Sequence, residues 1–241
     1  LPMLYTIKCK IMSTAREVVS LHQTIGLRRF GIRNHSLWLD GHRFVVRGIT
    51  CGKVDSKSFD KQVSAAKEQN TTEIIDLFSD GSCSHEELPK LDSHLQKSDE
   101  IGRPTIIRIE TETCPSAMPD ILCTLANHPS VFITVIPPSL LPDLENFTLL
   151  KGTMLFAIEV SSERASPEIP SGIDVAIVQL TNSEPEASWK KPPPYPIIAW
   201  NKEFASQRQE CDRLQAVLAN WRSSSGSPPF TWDWAGFLVG N

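Results

Sequence analysis

Three features that define large classes of proteins are missing from this sequence of 241 residues. No stretch approaches the roughly 18 apolar residues that a membrane-spanning helix needs, so we predict no membrane span. The net charge of −4 argues against a nucleic-acid partner, because nucleic-acid surfaces need clustered basic residues. The N-terminal LPMLYTIKCK lacks the charged and apolar segments of a signal peptide. Since the chain begins with Leu1 rather than Met, we expect a piece of a longer polypeptide, or a disordered or processed start.

Metal, cofactor and redox motifs are missing too. The six cysteines are scattered without a CxxC pair, whereas zinc sites use closely spaced ligands, so we predict no metal site. No glycine-rich loop that would cradle a phosphate is found, and we predict no cofactor. Six cysteines in a chain of this length do not form a disulfide scaffold, and we interpret most of them as buried thiols.

The composition is that of a soluble globular protein, with 40% hydrophobic and 22% charged residues. The compartment stays open, with an extracytoplasmic location among the alternatives. The chain begins with β structure: the run LYTIKCKI alternates apolar and polar residues, and Asp40-Gly41 supplies a hairpin turn. We therefore predict a short β-strand segment over residues 1–33, and a second unit over residues 34–241.

Within the second unit, short β-branched runs alternate with helical patterns, which is typical of βα units around a parallel sheet. Eight such runs predict a compact (β/α)₈ TIM barrel, an α/β fold. The predicted strands are Phe44–Thr50, Glu73–Ser79, Thr105–Thr111, Val131–Ile136, Met154–Val160, Asp174–Leu180, Tyr195–Trp200 and Trp234–Gly240.

The connections differ in helical character. The clearest helix is ASQRQECDRLQAVLANWRS, with Leu214, Val217, Leu218 and Trp221 on one face. Further helices are predicted for SFDKQVSAAKEQ, HEELPKLDSHLQKSDEIG and MPDILCTLAN. The connections over residues 161–173 and 182–196 are rich in Pro and Ser, and we predict loops or very short helices there.

The segment TIGLRRFGIRNHSLWLDGHRFVVRGIT resembles a junction found in glycoside hydrolase family 2, the β-galactosidase and β-glucuronidase group. At that junction an immunoglobulin-like domain leads into the first barrel strand. The segments SDEIGRPTIIRI and LANHPSVFITVI are similar to the entries to the third and fourth strands. The resemblance spans about residues 1–140. It implies that the segment 1–33 is the tail of an immunoglobulin-like sandwich, the alternative being a hairpin that caps the barrel.

The resemblance also implies where catalytic carboxylates should stand. Retaining glycosidases use one carboxylate as acid/base and a second as nucleophile. Aligning Asn127-His128-Pro129-Ser130 places the family's Asn-Glu pair on Pro138 and Ser139, and neither side chain can act as the acid. At the seventh strand the family's Glu falls on Asn201. Glu203, two residues later, is either a displaced nucleophile or the start of the next helix.

Other polar and aromatic residues follow predicted strands. Glu110, Glu112, Glu159 and Asp80 stand near strand ends, where active sites form in this fold, so Glu112 or Glu159 could serve as a relocated partner for Glu203. Near the last strand, the family uses a Trp as a sugar platform. Trp232 and Trp234 are therefore candidates for carbohydrate contact, and filling of the barrel wall is the alternative.

We interpret the chain as a degenerate, non-catalytic glycoside-hydrolase-like barrel, a pseudoenzyme that acts as a structural or interaction domain. Its expected partners are other protein domains or subunits of a larger assembly, with residual glycan binding as a further option. One alternative is an active retaining glycoside hydrolase that uses Glu203 with Glu112 or Glu159. A second alternative is a carbohydrate-binding module that uses Trp232 and Trp234.

Overall fold

The computed structural model describes ten stretches of the chain. They are residues 3–13, 16–54, 57–77, 87–110, 118–141, 152–163, 168–181, 184–190, 193–223 and 233–241.

Eight parallel strands close into a barrel, in which each strand pairs with the next along the chain and the last pairs with the first. Each overlaps a strand predicted from the sequence, so the predicted TIM barrel is confirmed. Runs rich in Val and Ile form these strands because both faces of a barrel strand are covered. The strands are β6 (Val46–Lys53), β7 (Thr72–Leu77), β8 (Thr105–Ile109), β9 (Val131–Val135), β10 (Leu155–Ser161), β11 (Val175–Gln179), β12 (Ile197–Asn201) and β13 (Gly236–Val239).

Five strands precede the barrel. The first two form an antiparallel hairpin, and the next three form a separate antiparallel sheet. The strands are β1 (Met3–Ser13), β2 (Arg16–Leu27), β3 (Phe30–Arg33), β4 (Ser36–Leu39) and β5 (His42–Phe44). The predicted turn between β4 and β5 is present, with Asp40 and Gly41 at φ values of 50° and 84°.

Four α-helices connect barrel strands along the chain in the described residues, as predicted. They are α1 (Phe59–Glu68), α2 (Glu87–Ile101), α3 (Met118–Ala126) and α4 (Arg208–Ser223). On the predicted face of α4, Leu214, Leu218 and Trp221 are buried. Within the described parts of the two Pro-rich connections, the regular structure amounts to a single 3₁₀ helix over Ala187–Lys190, which fits the predicted lack of full helices.

The sheet of β3, β4 and β5 packs against the barrel interior. Leu37 is buried in the interior apolar cluster, and the ring of Phe132 from β9 contacts two rings of the sheet. The centroid distances are 5.2 Å to Phe30 and 5.7 Å to Phe44. Because Phe44 precedes β6, the sheet lies at the end where the strands begin, which we call the base. The division between residues 33 and 34 stays a prediction, although the pairing of Arg33 with Ser36 joins its two sides.

The β1–β2 hairpin exposes apolar side chains. In its described part, Tyr5, Ile7, Ile11, Val19 and Leu21 are between 42% and 62% exposed. An isolated two-stranded hairpin is marginally stable in water, so this ribbon gains little from its own pairing.

Candidate functional site

The strands end at the face of the barrel that carries active sites in this fold, which we call the mouth. A cavity of about 330 Å³ opens there. It is lined by Arg108, Ile109, Glu110, Val135, Ile136, Pro137, Pro138, Glu159 and Lys202.

Arg108 is the centre of this site. It lies near the end of β8 and is 6% exposed. Its Nε is 2.8 Å from Oδ1 of Asp76, near the end of β7, and its NH2 pairs with Oε1 of Glu110. Its NH1 is 3.7 Å from Oε1 of Glu159 on β10. Residues on β7, just after β8 and on β10 therefore bring three carboxylates to one guanidinium, whose fork of donors suits several acceptors at once.

The charged groups rest on an aromatic ring. The guanidinium carbon of Arg108 is 4.6 Å from the ring centroid of Trp200, and Nζ of Lys202 is 4.2 Å from it. Trp200 is 1% exposed, and its Nε1 donates a hydrogen bond of 2.9 Å to the carbonyl oxygen of Gly240. The ring is thus fixed by the residue that follows β13, and it stabilises both cations through its π face.

Burial alters the titration of one mouth carboxylate. Asp76 is 7% exposed, and burial raises its pKa to about 6. The nearby positive charge of Arg108 opposes this shift, whereas Glu110 and Glu159 add to it. Asp76 does not line the mouth cavity, so a ligand there would meet Arg108, Glu110 and Glu159 instead.

Glu159 lines the mouth cavity. Its Oε1 faces Arg108 and its Oε2 is 3.7 Å from Nζ of Lys202, so each oxygen has a cation. Glu110 is also at the mouth, whereas Glu112 and Asp80 lie outside the described residues.

The end of β9 carries no acid at the expected position. Pro137 is buried, and its carbonyl oxygen accepts a hydrogen bond of 3.0 Å from the backbone N–H of Leu140, which closes a tight turn. Pro138 and Ser139 are exposed in that turn. Pro138 lines the cavity and Ser139 does not.

The end of β12 has a structural role. Asn201 is 1% exposed, and its Oδ1 accepts backbone hydrogen bonds from Glu203 at 2.9 Å and Phe204 at 3.2 Å. Trp200 faces the barrel interior, so alternation gives that facing to Lys202 and the opposite one to Glu203, and the strand itself ends at Asn201. Glu203 is exposed and does not line the mouth cavity, whereas Lys202 does.

The two aromatic candidates for carbohydrate contact are Trp232 and Trp234. Trp234 precedes β13, which places it at the base, and it is 2% exposed within the outer apolar layer. This placement favours the wall-filling alternative for Trp234. Trp232 lies outside the described residues. Sequence reasoning missed Arg108 as the organising group, although its spacing of two from Glu110 on a strand already gave both the same facing.

Comparison with solved structures gives the fold. The crystal structure of Ruminococcus gnavus β-glucuronidase matches with a TM-score of 0.58 and 14% identity, over 99% of this chain and 50% of that chain. Its complex with D-glucaro 1,5-lactone matches with a TM-score of 0.64 and 13% identity, with the same coverage. A Bacteroides fragilis protein assigned as a β-galactosidase matches with 0.54 and 15% identity, over 73% of this chain and 29% of that chain.

These neighbours are glycoside hydrolases, and at such identities the likeness establishes a shared barrel fold. The chain spans about half the length of the glucuronidase chains it matches. No protein-family model matches the sequence, and no curated protein matches it. Among the described residues, no three His, Cys, Asp or Glu side chains are grouped to hold a metal ion. No helix in the same stretches is long and apolar enough to cross a membrane.

Proposed function

We propose that this chain is a non-catalytic, family 2-like glycosidase barrel that serves as a structural or interaction domain. The observation that carries the proposal is the ion pairing at the mouth. Each described carboxylate that faces Arg108 is paired with it, and Glu159 also faces Lys202.

Retaining hydrolysis needs two carboxylates about 5 Å apart, one to protonate the glycosidic oxygen and one to attack the anomeric carbon. At this mouth, Arg108 stands between the side chains of Glu110 and Glu159 by its contacts with both. A sugar would have to displace a buried cation to reach either oxygen pair, which leaves that cation without its partner and is costly. Pro138, Ser139 and Asn201 at the implied positions support the same proposal.

The hairpin supports the interaction role. Ile7, Cys9 and Ile11 alternate along β1 with Lys8 and Lys10, so apolar and basic side chains point to opposite faces. The pairing of Cys9 with Leu21 and of Ile11 with Val19 extends the apolar face across β2. A contiguous exposed apolar face of this kind marks a surface that another protein domain or subunit covers.

Turnover of aryl β-glucuronides and aryl β-galactosides tests the first half of the proposal. We expect no release of the aryl group above the uncatalysed rate at any pH between 4 and 8. Hydrolysis by the wild-type chain that is abolished in Glu203→Gln or Glu159→Gln would establish the active-hydrolase alternative. Saturable binding on a glycan array without turnover would instead establish the carbohydrate-binding alternative.

Site-specific crosslinking tests the second half. A photo-activatable side chain at Ile11 lies on the apolar face, and the same group at Lys10 on the opposite face is the matched control. We expect one defined protein adduct from position 11 and none from position 10 when the full-length protein is irradiated in its native cells. Equal adducts from both positions, or none from position 11, would contradict a docking role for the apolar face.

A further inference from the structure

A second cavity, of about 540 Å³, lies away from the mouth. It is found where β6, β7 and β8 begin, beside the last turn of α1 and the first residue of α4. Four cationic side chains line it: Arg47 on β6, Lys67 on α1, Arg103 before β8, and Arg208 on α4.

The charge of this cavity is unbalanced. Among the described residues that line it, none is Asp or Glu. Arg103 pairs with Glu73, which is fully buried, and Arg47 and Arg208 share one carboxylate oxygen, Oδ1 of Asp212. Among the described residues, these four cations thus meet two carboxylates, in a chain whose net charge is −4. The excess is therefore a local arrangement and not a property of the whole surface.

Two of these cations, Arg47 and Arg208, are held in place before any ligand arrives. Nε of Arg47 is 3.1 Å from Oδ1 of Asp212, and its guanidinium carbon is 4.8 Å from the ring centroid of Phe237. Arg208 is 3.5 Å from the same oxygen, and its backbone N–H donates to Gln69. Fixed guanidinium groups lose little side-chain entropy on binding an oxyanion.

We infer that this cavity is a binding site for a phosphate or sulfate group, either as the free anion or as an ester. A tetrahedral oxyanion with two negative charges matches the excess of two cations, and its oxygens accept charge-assisted hydrogen bonds from guanidinium and ammonium donors. The site is separate from the mouth, and it does not depend on whether the mouth is catalytic.

Calorimetric titration with inorganic phosphate tests the inference, with ionic strength held constant by NaCl so that screening does not change. We expect one saturable site with a dissociation constant on the order of 1 mM or lower. The double variant Lys67→Gln/Arg208→Gln should weaken binding by about tenfold or more. Arg213→Gln is the matched control, because Arg213 is on the same helix and does not line the cavity.

Titration with a sugar phosphate and with sulfate distinguishes the possible sources of the anion. Tighter binding of the ester than of inorganic phosphate would assign the site to an ester. Lys67 also lies in the last turn of α1, where a cation stabilises the helix, so thermal unfolding of each variant is measured alongside. No saturable heat with any of the three anions would overturn the inference, as would equal affinity in the double variant and in Arg213→Gln.

Discussion

The base and the mouth of the barrel both bury charged groups, but the groups have different neighbours. At the base, His128 stands between two carboxylates, with Nδ1 2.8 Å from Oδ2 of Asp99 and Nε2 3.1 Å from Oδ1 of Asp92. The other oxygen of Asp99 accepts a hydrogen bond of 2.8 Å from the backbone N–H of Ser130. At the mouth, a single arginine serves three carboxylates.

The base groups belong to the motifs that resemble family 2. Asp99 and Gly102 come from SDEIG, while His128 and Ser130 come from NHPS. Arg28, from the junction segment, donates a hydrogen bond of 2.9 Å from its NH2 to the carbonyl oxygen of Gly102. Residues distant in the sequence thus form one network that fixes the entries to β8 and β9.

The difference between the two ends shows which residues carry the motifs that resemble family 2. The recognisable motifs hold strand entries together, so they act on the fold, whereas the residues at the strand ends would act on a substrate. On the proposed function, a mouth without catalytic groups is compatible with the fold because its charges are paired with each other. The following predictions compare the two ends, from the largest expected effect to the smallest.

Removing Arg103 should have the largest effect. Arg103 pairs with Glu73, which is 0% exposed and also contacts His94 at 2.8 Å. Arg103→Met leaves a buried carboxylate without its main partner, and we expect the free energy of unfolding to fall by about 3–5 kcal/mol. Urea denaturation measures it. Arg222→Met, which breaks a more exposed pair with Asp233, is the control and should cost about 1 kcal/mol or less. Equal losses of stability in the two variants would contradict the expected cost of leaving Glu73 buried without Arg103.

His128→Gln should cost about 2–3 kcal/mol at pH 6, since it removes hydrogen bonds to two carboxylates. Burial alone would lower the pKa of His128, but Asp99 and Asp92 outweigh it, and the pKa is raised. A raised folded-state pKa gives stability that is fully present below the unfolded value near 6.5 and is lost as the pH rises through the folded value.

Urea denaturation of wild type and His128→Gln between pH 6 and pH 9 measures this dependence. The difference between the two proteins should shrink as the pH rises. A difference that is constant or grows over this range would contradict a charged His128 in the folded protein.

At the mouth, Asp76→Asn should raise the free energy of unfolding at neutral pH, whereas the two variants at the base lower it. The pKa of Asp76 is raised from 3.8 to about 6, so its proton contributes stability below pH 3.8 that is lost as the pH rises through 6. We expect the variant to gain about 1–3 kcal/mol on the wild type between pH 4 and pH 8. Asp60→Asn, at an exposed position of α1, is the control and should show no such trend. If the free energy of unfolding of the variant fell relative to wild type as the pH rises, the raised pKa of Asp76 would be contradicted.

The sequence predicted the barrel because its signals are local. Eight β-branched runs and the apolar face of α4 need only neighbours in the chain to be recognised. The signal for the Asp40-Gly41 turn is also local, because an Asp-Gly pair favours the positive φ values that both residues take.

The mouth was predictable only in part. Position near a strand end indicated the mouth for Glu110 and Glu159, and both line the mouth cavity. On β12, Trp200 faces the interior and Lys202 lines the mouth cavity, so Glu203, one residue further on, has the opposite facing and also lies beyond the strand end at Asn201. The meeting of Asp76, Arg108 and Glu159 depends on the register of several strands, which no single segment encodes.

The smallest effect is expected at Glu159, and it separates a structural mouth from a catalytic one. The side chain of Glu159 is 28% exposed and lies 3.7 Å from each of its cations, so Glu159→Gln should change the free energy of unfolding by about 1 kcal/mol or less. Arg108 keeps Asp76 and Glu110 as partners in that variant. Urea denaturation checks the stability, and aryl β-glucuronide hydrolysis is measured on the same samples. Because a catalytic carboxylate can be replaced with little loss of stability and a large loss of rate, a drop in hydrolysis at unchanged stability would identify Glu159 as catalytic and would contradict the proposed loss of chemistry.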